Sequence, residues 1–78
     1  MTIDEFWVGV ERYKSLHTNQ RIGQSVFNYL YLVKPDLADK VRGSHIDPFH
    51  VMDDDLHQSL KYHSFQLWLE NNWNEKVE

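Results

Sequence analysis

Histidine and aspartate are concentrated in the second half of the chain, and they are the side chains best suited to hold a metal ion. His45, Asp47, His50, Asp53 and His57 offer nitrogen and oxygen ligands, and the last two lie four residues apart on one helix face. No zinc-binding signature is present, and a site needs three or four ligands that converge within about 2.0–2.3 Å of the ion. We therefore predict no metal ligand and keep a small His/Asp metal-binding protein as an alternative.

Nucleophilic catalysis has little support in the sequence. Ser44 and His45, like His63 and Ser64, are adjacent along the chain, and a base does not meet its nucleophile in that way. No glycine-rich phosphate loop follows a predicted strand. A substrate pocket of about 300–1,000 Å³ would also take up much of so small a core. We therefore predict neither an enzyme nor a cofactor, and no catalytic residue.

The segment Gln20–Val33 is strongly apolar and predicts a central helix. At about 100° per residue its apolar side chains share one face. This face comprises Ile22, Val26, Tyr29, Leu30 and Val33, widened by Phe27. Gly23 lies within it, where a missing side chain lets another backbone come close. A polar stripe is predicted on the opposite side, formed by Arg21, Gln24, Ser25 and Asn28.

Two helices are predicted to flank this segment in sequence. The first, Thr2–His17, begins with a capping box and buries an apolar side. That side comprises Phe6, Val10 and Tyr13 with, beside them, Ile3, Trp7 and Leu16. Thr18 or Asn19 is expected to cap the central helix. The helix that follows it, Pro35–Arg42, is short, and Gly43 is its predicted left-handed C-terminal cap.

The last predicted helix, from Asp54 to about Asn72, has two apolar faces. One comprises Leu56, Leu60, His63 and Leu67, and the other Tyr62, Phe65, Leu69 and Trp73, with Trp68 between them. Two such faces indicate either deep docking or a surface left for a partner. Together the segments predict an all-α fold, a single domain over residues 1–78. It is a small bundle of three longer helices and one short helix around the central apolar helix, residues 20–33.

Composition and charge exclude several classes of protein. The 78 residues include no cysteine, which excludes disulfides and thiolate metal sites. No apolar run reaches the roughly 20 residues of a membrane span, so we expect a cytoplasmic protein without a membrane partner. Residues 1–42 carry six basic and five acidic groups (net +1), and residues 43–78 carry two and seven (net −5). This balance disfavours direct nucleic-acid binding and favours a basic partner.

Two blocks of the sequence carry a resemblance. They are Arg21-x-Gly23-Gln24-x-x-Phe27-Asn28 and Pro35-x-Leu37-Ala38-x-x-Val41-Arg42-Gly43-Ser44-x-x-Asp47-Pro48-Phe49. With them the chain resembles small uncharacterised proteins of bacteriophages and bacteria that share R-x-G-Q-x-x-[FY]-N followed by P-x-L-A-x-x-[IV]-R-G-[ST]-x-x-D-P-[FY]. The resemblance covers roughly the middle third of the chain and implies a phage or prophage setting, in which tiny acidic proteins often bind and disable a host protein. The histidine-rich last helix departs from the pattern.

Aromatic and arginine side chains supply predicted binding residues. Four Phe, four Tyr and three Trp are more rings than we expect one small core to cover, and Trp, Tyr and Arg are typical of binding hot spots. We expect four of them to be incompletely buried: Trp7, Tyr31, Trp68 and Trp73. The last three of these are predicted binding residues. Arg42 and Asp47 are predicted either as a patch that contacts a partner or as scaffold, with Asp47 paired to Arg42 or Arg21.

Asp53, Asp54 and Asp55 complete the predicted binding residues. The sequence favours a non-catalytic protein–protein interaction module, a phage-derived accessory or host-inhibitory protein. We expect it to bind its protein partner through an acidic and aromatic surface on the final helix. An alternative is an acidic DNA mimic, in which these carboxylates occupy the basic groove of a nucleic-acid-binding protein together with those of Asp47, Glu70 and Glu75. A homodimer also stays open.

Overall fold

The computed structural model describes residues 1–52 and 59–73, and every regular element in these ranges is an α-helix. In chain order the helices are α1 (Ile3–Leu16), α2 (Ile22–Val33), α3 (Pro35–Val41) and α4 (Leu60–Asn72). The predicted all-α class is confirmed. Buried side chains from all four helices join one core cluster, to which the segment between α3 and α4 adds Ile46 and Val51.

The first helix begins with the predicted capping box. The Thr2 hydroxyl accepts a hydrogen bond from the Glu5 amide at 3.1 Å, and the Glu5 carboxylate accepts one from the Thr2 amide at 2.8 Å. Phe6 and Val10 are buried, as predicted. Leu16 is 79% exposed, because it is the last residue of the helix and lies beyond the part that contacts the core. The placement of Leu16 on the buried side of α1 was therefore wrong.

The second helix packs against both α1 and α3, and it buries Val26, Phe27 and Leu30 as predicted. It begins later than predicted, because Arg21 is its N-cap, in extended conformation and with no capping side-chain bond. Ser25 was predicted on the polar stripe and is instead fully buried. Its hydroxyl donates to the side-chain carbonyl of Gln20 at 3.1 Å, so a residue just outside the helix satisfies the buried oxygen.

Gly23 is the point at which another backbone touches α2, as the sequence predicts. Its amide donates to the carbonyl of Val51 at 3.1 Å. A Cβ atom at this position would overlap the carbonyl oxygen of Pro48 and lie 2.8 Å from the amide nitrogen of Val51. The segment after α3 therefore lies directly on α2. It leaves α3 through Gly43, whose φ of 73° confirms the predicted left-handed cap.

The last helix begins at Leu60, not at Asp54. Ser59 is extended and its hydroxyl accepts a hydrogen bond from the Tyr62 amide at 3.0 Å, so it caps the helix. Residues 54–58, the predicted first turns, lie outside the described residues. Of the two predicted apolar faces, the one with Tyr62, Phe65 and Leu69 is buried.

Candidate protein-binding surfaces

Tyr31 and Arg42, two predicted binding residues, lie together on the surface. The guanidinium carbon of Arg42 is 5.2 Å from the centre of the Tyr31 ring and 5.5 Å from that of Phe27. Asp39 forms an exposed ion pair with Arg42 at 3.7 Å. Tyr31 is 48% exposed, so its ring is held in place by a cation and still faces solvent. We call these two residues the Tyr31–Arg42 pair.

Asp47 organises the turn after α3 rather than pairing with arginine. One carboxylate oxygen accepts from the Gly43 amide at 2.7 Å and the other from the Phe49 amide at 3.0 Å. The predicted ion pair of Asp47 with Arg42 or Arg21 is wrong, because both oxygens bind backbone amides that the turn presents. Arg21 instead donates from Nε to the carbonyl of Phe49 at 3.4 Å and lies over its ring.

Trp73 is 8% exposed, so its predicted incomplete burial was wrong. Its indole ring lies 5.2 Å from the Phe6 ring and 4.9 Å from the Lys34 ammonium. The indole N–H donates to the carbonyl of Met1 at 3.1 Å. These contacts account for the burial of the ring. Trp68 and Trp7 are half-buried against the core, as predicted.

Asp53, Asp54 and Asp55 lie outside the described residues, and so does His57. Asp53 and His57 are two of the ligands in the metal hypothesis. Within residues 1–52 and 59–73, no three His, Asp or Glu side chains come together as a metal site requires. His45 and His50 are exposed. Of the carboxylates in the DNA-mimic hypothesis, Asp47 binds two backbone amides and Glu70 is exposed. The others lie outside the described residues.

The surface that the sequence analysis missed is a groove along the outer side of α1. It is open to solvent and has a volume of about 670 Å³. Three exposed apolar side chains border it, from Met1, Val8 and Leu16. We call it the α1 groove. Its size falls within the range of ligand-binding clefts, about 300–1,000 Å³, and its length follows the helix.

The floor of the α1 groove is aromatic and closely packed. A Cβ atom at Gly9 would overlap the phenol group of Tyr29 and lie 2.6 Å from its ring carbon Cε2, so the ring rests on the helix backbone. The Tyr29 ring is also 5.5 Å from the Phe6 ring and 5.8 Å from the Tyr13 ring. Tyr29 therefore connects the groove directly to the core cluster.

Charges are unevenly placed along the α1 groove. Asp4 and Glu5 lie at the end where α1 begins, and Arg12 lies one turn beyond Val8. A sequence signal for this surface exists, because Met1, Glu5, Val8, Arg12 and Leu16 recur at three- or four-residue spacing. It was missed because Leu16 was assigned to the core and Gly9 was given no role.

The outer face of α4 is the second apolar surface that the structure leaves exposed. Leu60 is 82% and Leu67 49% exposed, and His63 between them also faces solvent. The sequence predicts two apolar faces on the last helix, and this is the one that does not pack on the core and stays available to a partner. The apolar side chains that α4 exposes are thus leucines, whereas Trp68 is half-buried and Trp73, at the end of the helix, is buried.

Comparison with protein-family models, with curated proteins and with solved structures finds no match. Among the described helices, none has both the length and the apolar character needed to cross a bilayer.

Proposed function

We propose that this chain is a non-catalytic protein–protein interaction module that binds its partner in the α1 groove. The observation that carries the proposal is the groove itself, about 670 Å³ in volume, bordered by three exposed apolar side chains and floored by a tyrosine. Contiguous exposed apolar surface in a small protein typically marks an interaction site. We therefore place the partner-binding surface on α1, whereas the sequence predicts it on the last helix.

The form of the α1 groove favours a helical segment of a protein over a small molecule. Val8 and Leu16 are eight residues apart on α1, about two turns, and Met1 lies just before the helix begins. An amphipathic helix offers anchors at the same spacing. Carboxylates of Asp4 and Glu5 at one end would favour a partner that is basic there.

The resemblance to small phage and bacterial proteins suggests the setting for such binding. We propose a phage-derived accessory or host-inhibitory role in the cytoplasm of the bacterial host, with the partner disabled by occupation of its surface. The Tyr31–Arg42 pair, an exposed ring beside a guanidinium group, is a secondary contact in this proposal.

The experiment compares two lysine substitutions that each remove one exposed apolar side chain. Val8→Lys places a charge on the rim of the α1 groove, and Leu32→Lys places the same charge on the solvent side of α2. Both positions are exposed, so circular dichroism and melting temperature should match the wild type. Host proteins retained by the tagged chain are identified by mass spectrometry, and each is then titrated as purified protein.

We expect Val8→Lys to weaken binding at least about tenfold and Leu32→Lys to leave it near the wild-type value. Binding anchored by apolar groups should also change little as ionic strength rises, whereas a DNA mimic would lose its target steeply. A partner bound equally well by the wild type and Val8→Lys would contradict the proposal.

A further inference from the structure

The outer face of α4 and the α1 groove match in spacing. Leu60 and Leu67 are seven residues apart, about 10.5 Å along a helix. In the α1 groove, Val8 and Leu16 are eight residues apart on α1, about 12 Å, and Met1 lies just before the start of the helix. With this spacing, one leucine of a docked α4 would lie between Val8 and Leu16 while the other lies between Val8 and Met1.

The charges on the two surfaces match when the helices run parallel. In that orientation Leu60 lies between Met1 and Val8, and Lys61 comes opposite Asp4. At the other end Glu70, three residues after Leu67, comes within reach of Arg12. All four of these charged side chains belong to exposed residues, so they are available for pairing across an interface. The antiparallel orientation would instead bring Glu70 towards Asp4 and Glu5.

From this match we propose that the chain forms a dimer in which α4 of each copy lies parallel in the α1 groove of the other. The inference rests on the proposed function, since it names an occupant for the same groove, one that a host partner would have to displace. Each copy carries one groove and one outer α4 face, so an exchange related by a twofold axis would satisfy both surfaces in two copies and close the assembly. The dimer covers the exposed leucines of α4 and the apolar rim of α1 in one step.

The first experiment measures mass by size-exclusion chromatography with light scattering over a broad concentration series. We expect a mass near twice the 9.4 kDa of the single chain, falling towards 9.4 kDa on dilution. A mass that stays at 9.4 kDa at every concentration would overturn the proposal. So would a mass that grows without limit, because an unclosed contact builds chains of copies.

Paired substitutions test the two surfaces against each other. Val8→Lys damages the groove and Leu67→Lys damages the α4 face, and each should raise the dimer dissociation constant at least about tenfold. In a mixed dimer one contact carries neither lysine and the other carries both, whereas a dimer of either variant alone has one lysine in each contact. A contact already broken by one lysine loses little more from a second. We therefore expect the mixture to recover mass that neither variant shows alone. Equal behaviour of the mixture and the single variants would overturn the reciprocal exchange.

Charge reversal tests the parallel register. Asp4→Lys and Lys61→Asp should each weaken the dimer by about two- to fivefold, and the double variant should recover most of the loss. Asp36→Lys, on the exposed side of α3, is the matched control and should leave the dimer unchanged. A double variant no better than the single ones would overturn the register.

These results separate the inference from the proposed function. A monomeric chain whose host partner is lost in Val8→Lys overturns the dimer and supports the interaction module. A dimer that meets every expectation above, with a host partner indifferent to Val8→Lys, supports the dimer and contradicts the module.

Discussion

Gly23 on α2 and Gly9 on α1 are both helix glycines in contact with another part of the chain, but the contacts differ in kind. A Cβ atom at Gly23 would meet the backbone of Pro48 and Val51. One at Gly9 would meet the phenol ring of Tyr29. A backbone fixed by hydrogen bonds cannot rotate away, whereas a ring can change its χ angles. The packing of the 43–52 segment on α2 is therefore fixed, and we call this the fixed side of the molecule. The packing under the α1 groove can adjust by rotation of a side chain, and we call this the groove side.

Gly23→Ala is the most severe test of the fixed side. The methyl group must displace the Pro48–Val51 backbone and break the hydrogen bond from the Gly23 amide to Val51. We expect a loss of about 3 kcal/mol in the free energy of unfolding, measured by urea denaturation. A loss below about 0.5 kcal/mol would mean that the 43–52 segment adapts as easily as a side chain.

Tyr62, on the buried face of α4, tests whether that face belongs to the fixed side. Burial raises the pKa of its phenol from 10.0 to about 12. A raised pKa means that the folded protein holds the proton more tightly, so this stability is complete below pH 10 and is lost as pH rises towards 12. Relative to Tyr62→Phe, we expect the wild type to lose on the order of 2 kcal/mol across that window.

The readout is chemical denaturation at a series of alkaline pH values, and the other tyrosines and the lysines act as a background common to both proteins. If the wild type and Tyr62→Phe follow parallel curves, the face around Tyr62 is open to water in solution.

Asp47→Ala tests the turn that positions the 43–52 segment. The Gly43 and Phe49 amides lose their carboxylate acceptor, which should cost about 1–2 kcal/mol and raise amide exchange through the turn. Asp39→Ala removes an exposed ion pair with Arg42 and should cost less than about 0.5 kcal/mol. Unchanged melting temperature and amide protection in Asp47→Ala would show that the turn does not depend on these two bonds.

Gly9→Ala should have a much smaller effect on stability than Gly23→Ala. Alanine gains up to about 1 kcal/mol in helix propensity, and the methyl group displaces the ring of Tyr29. We expect these terms to leave the free energy of unfolding within about 1 kcal/mol of the wild type. The displaced ring should narrow the groove and weaken both dimer and partner binding. A loss as large as that of Gly23→Ala would remove the distinction between the two sides.

Local rules were sufficient where a residue type has one dominant use. The capping box of Thr2, the left-handed Gly43 and the close approach at Gly23 were predicted because each depends on a single residue and its neighbours. The start of α4 was not predicted correctly. Three aspartates and Ser59 all qualify as N-caps, and only the tertiary position of the helix decides between them.

The candidate site was harder to predict, because it depends on which face of each helix docks. Both apolar faces of α4 fit the helical period, and periodicity does not say that Tyr62 turns inward and Leu67 outward. The burial of Trp73 depends on Met1, 72 residues away, which no local pattern encodes. The pairing of Tyr31 with Arg42 likewise requires the angle between α2 and α3.

The bond between the Trp73 indole and Met1 also sets an order of assembly. The ring can be held only after α1 has formed and after Lys34, at the junction of α2 and α3, has reached its place. Closing so long a loop is slow compared with forming the local helices, so α4 should dock last. Trp73 fluorescence would then report the docking of α4, because detachment of this helix would expose the ring to water.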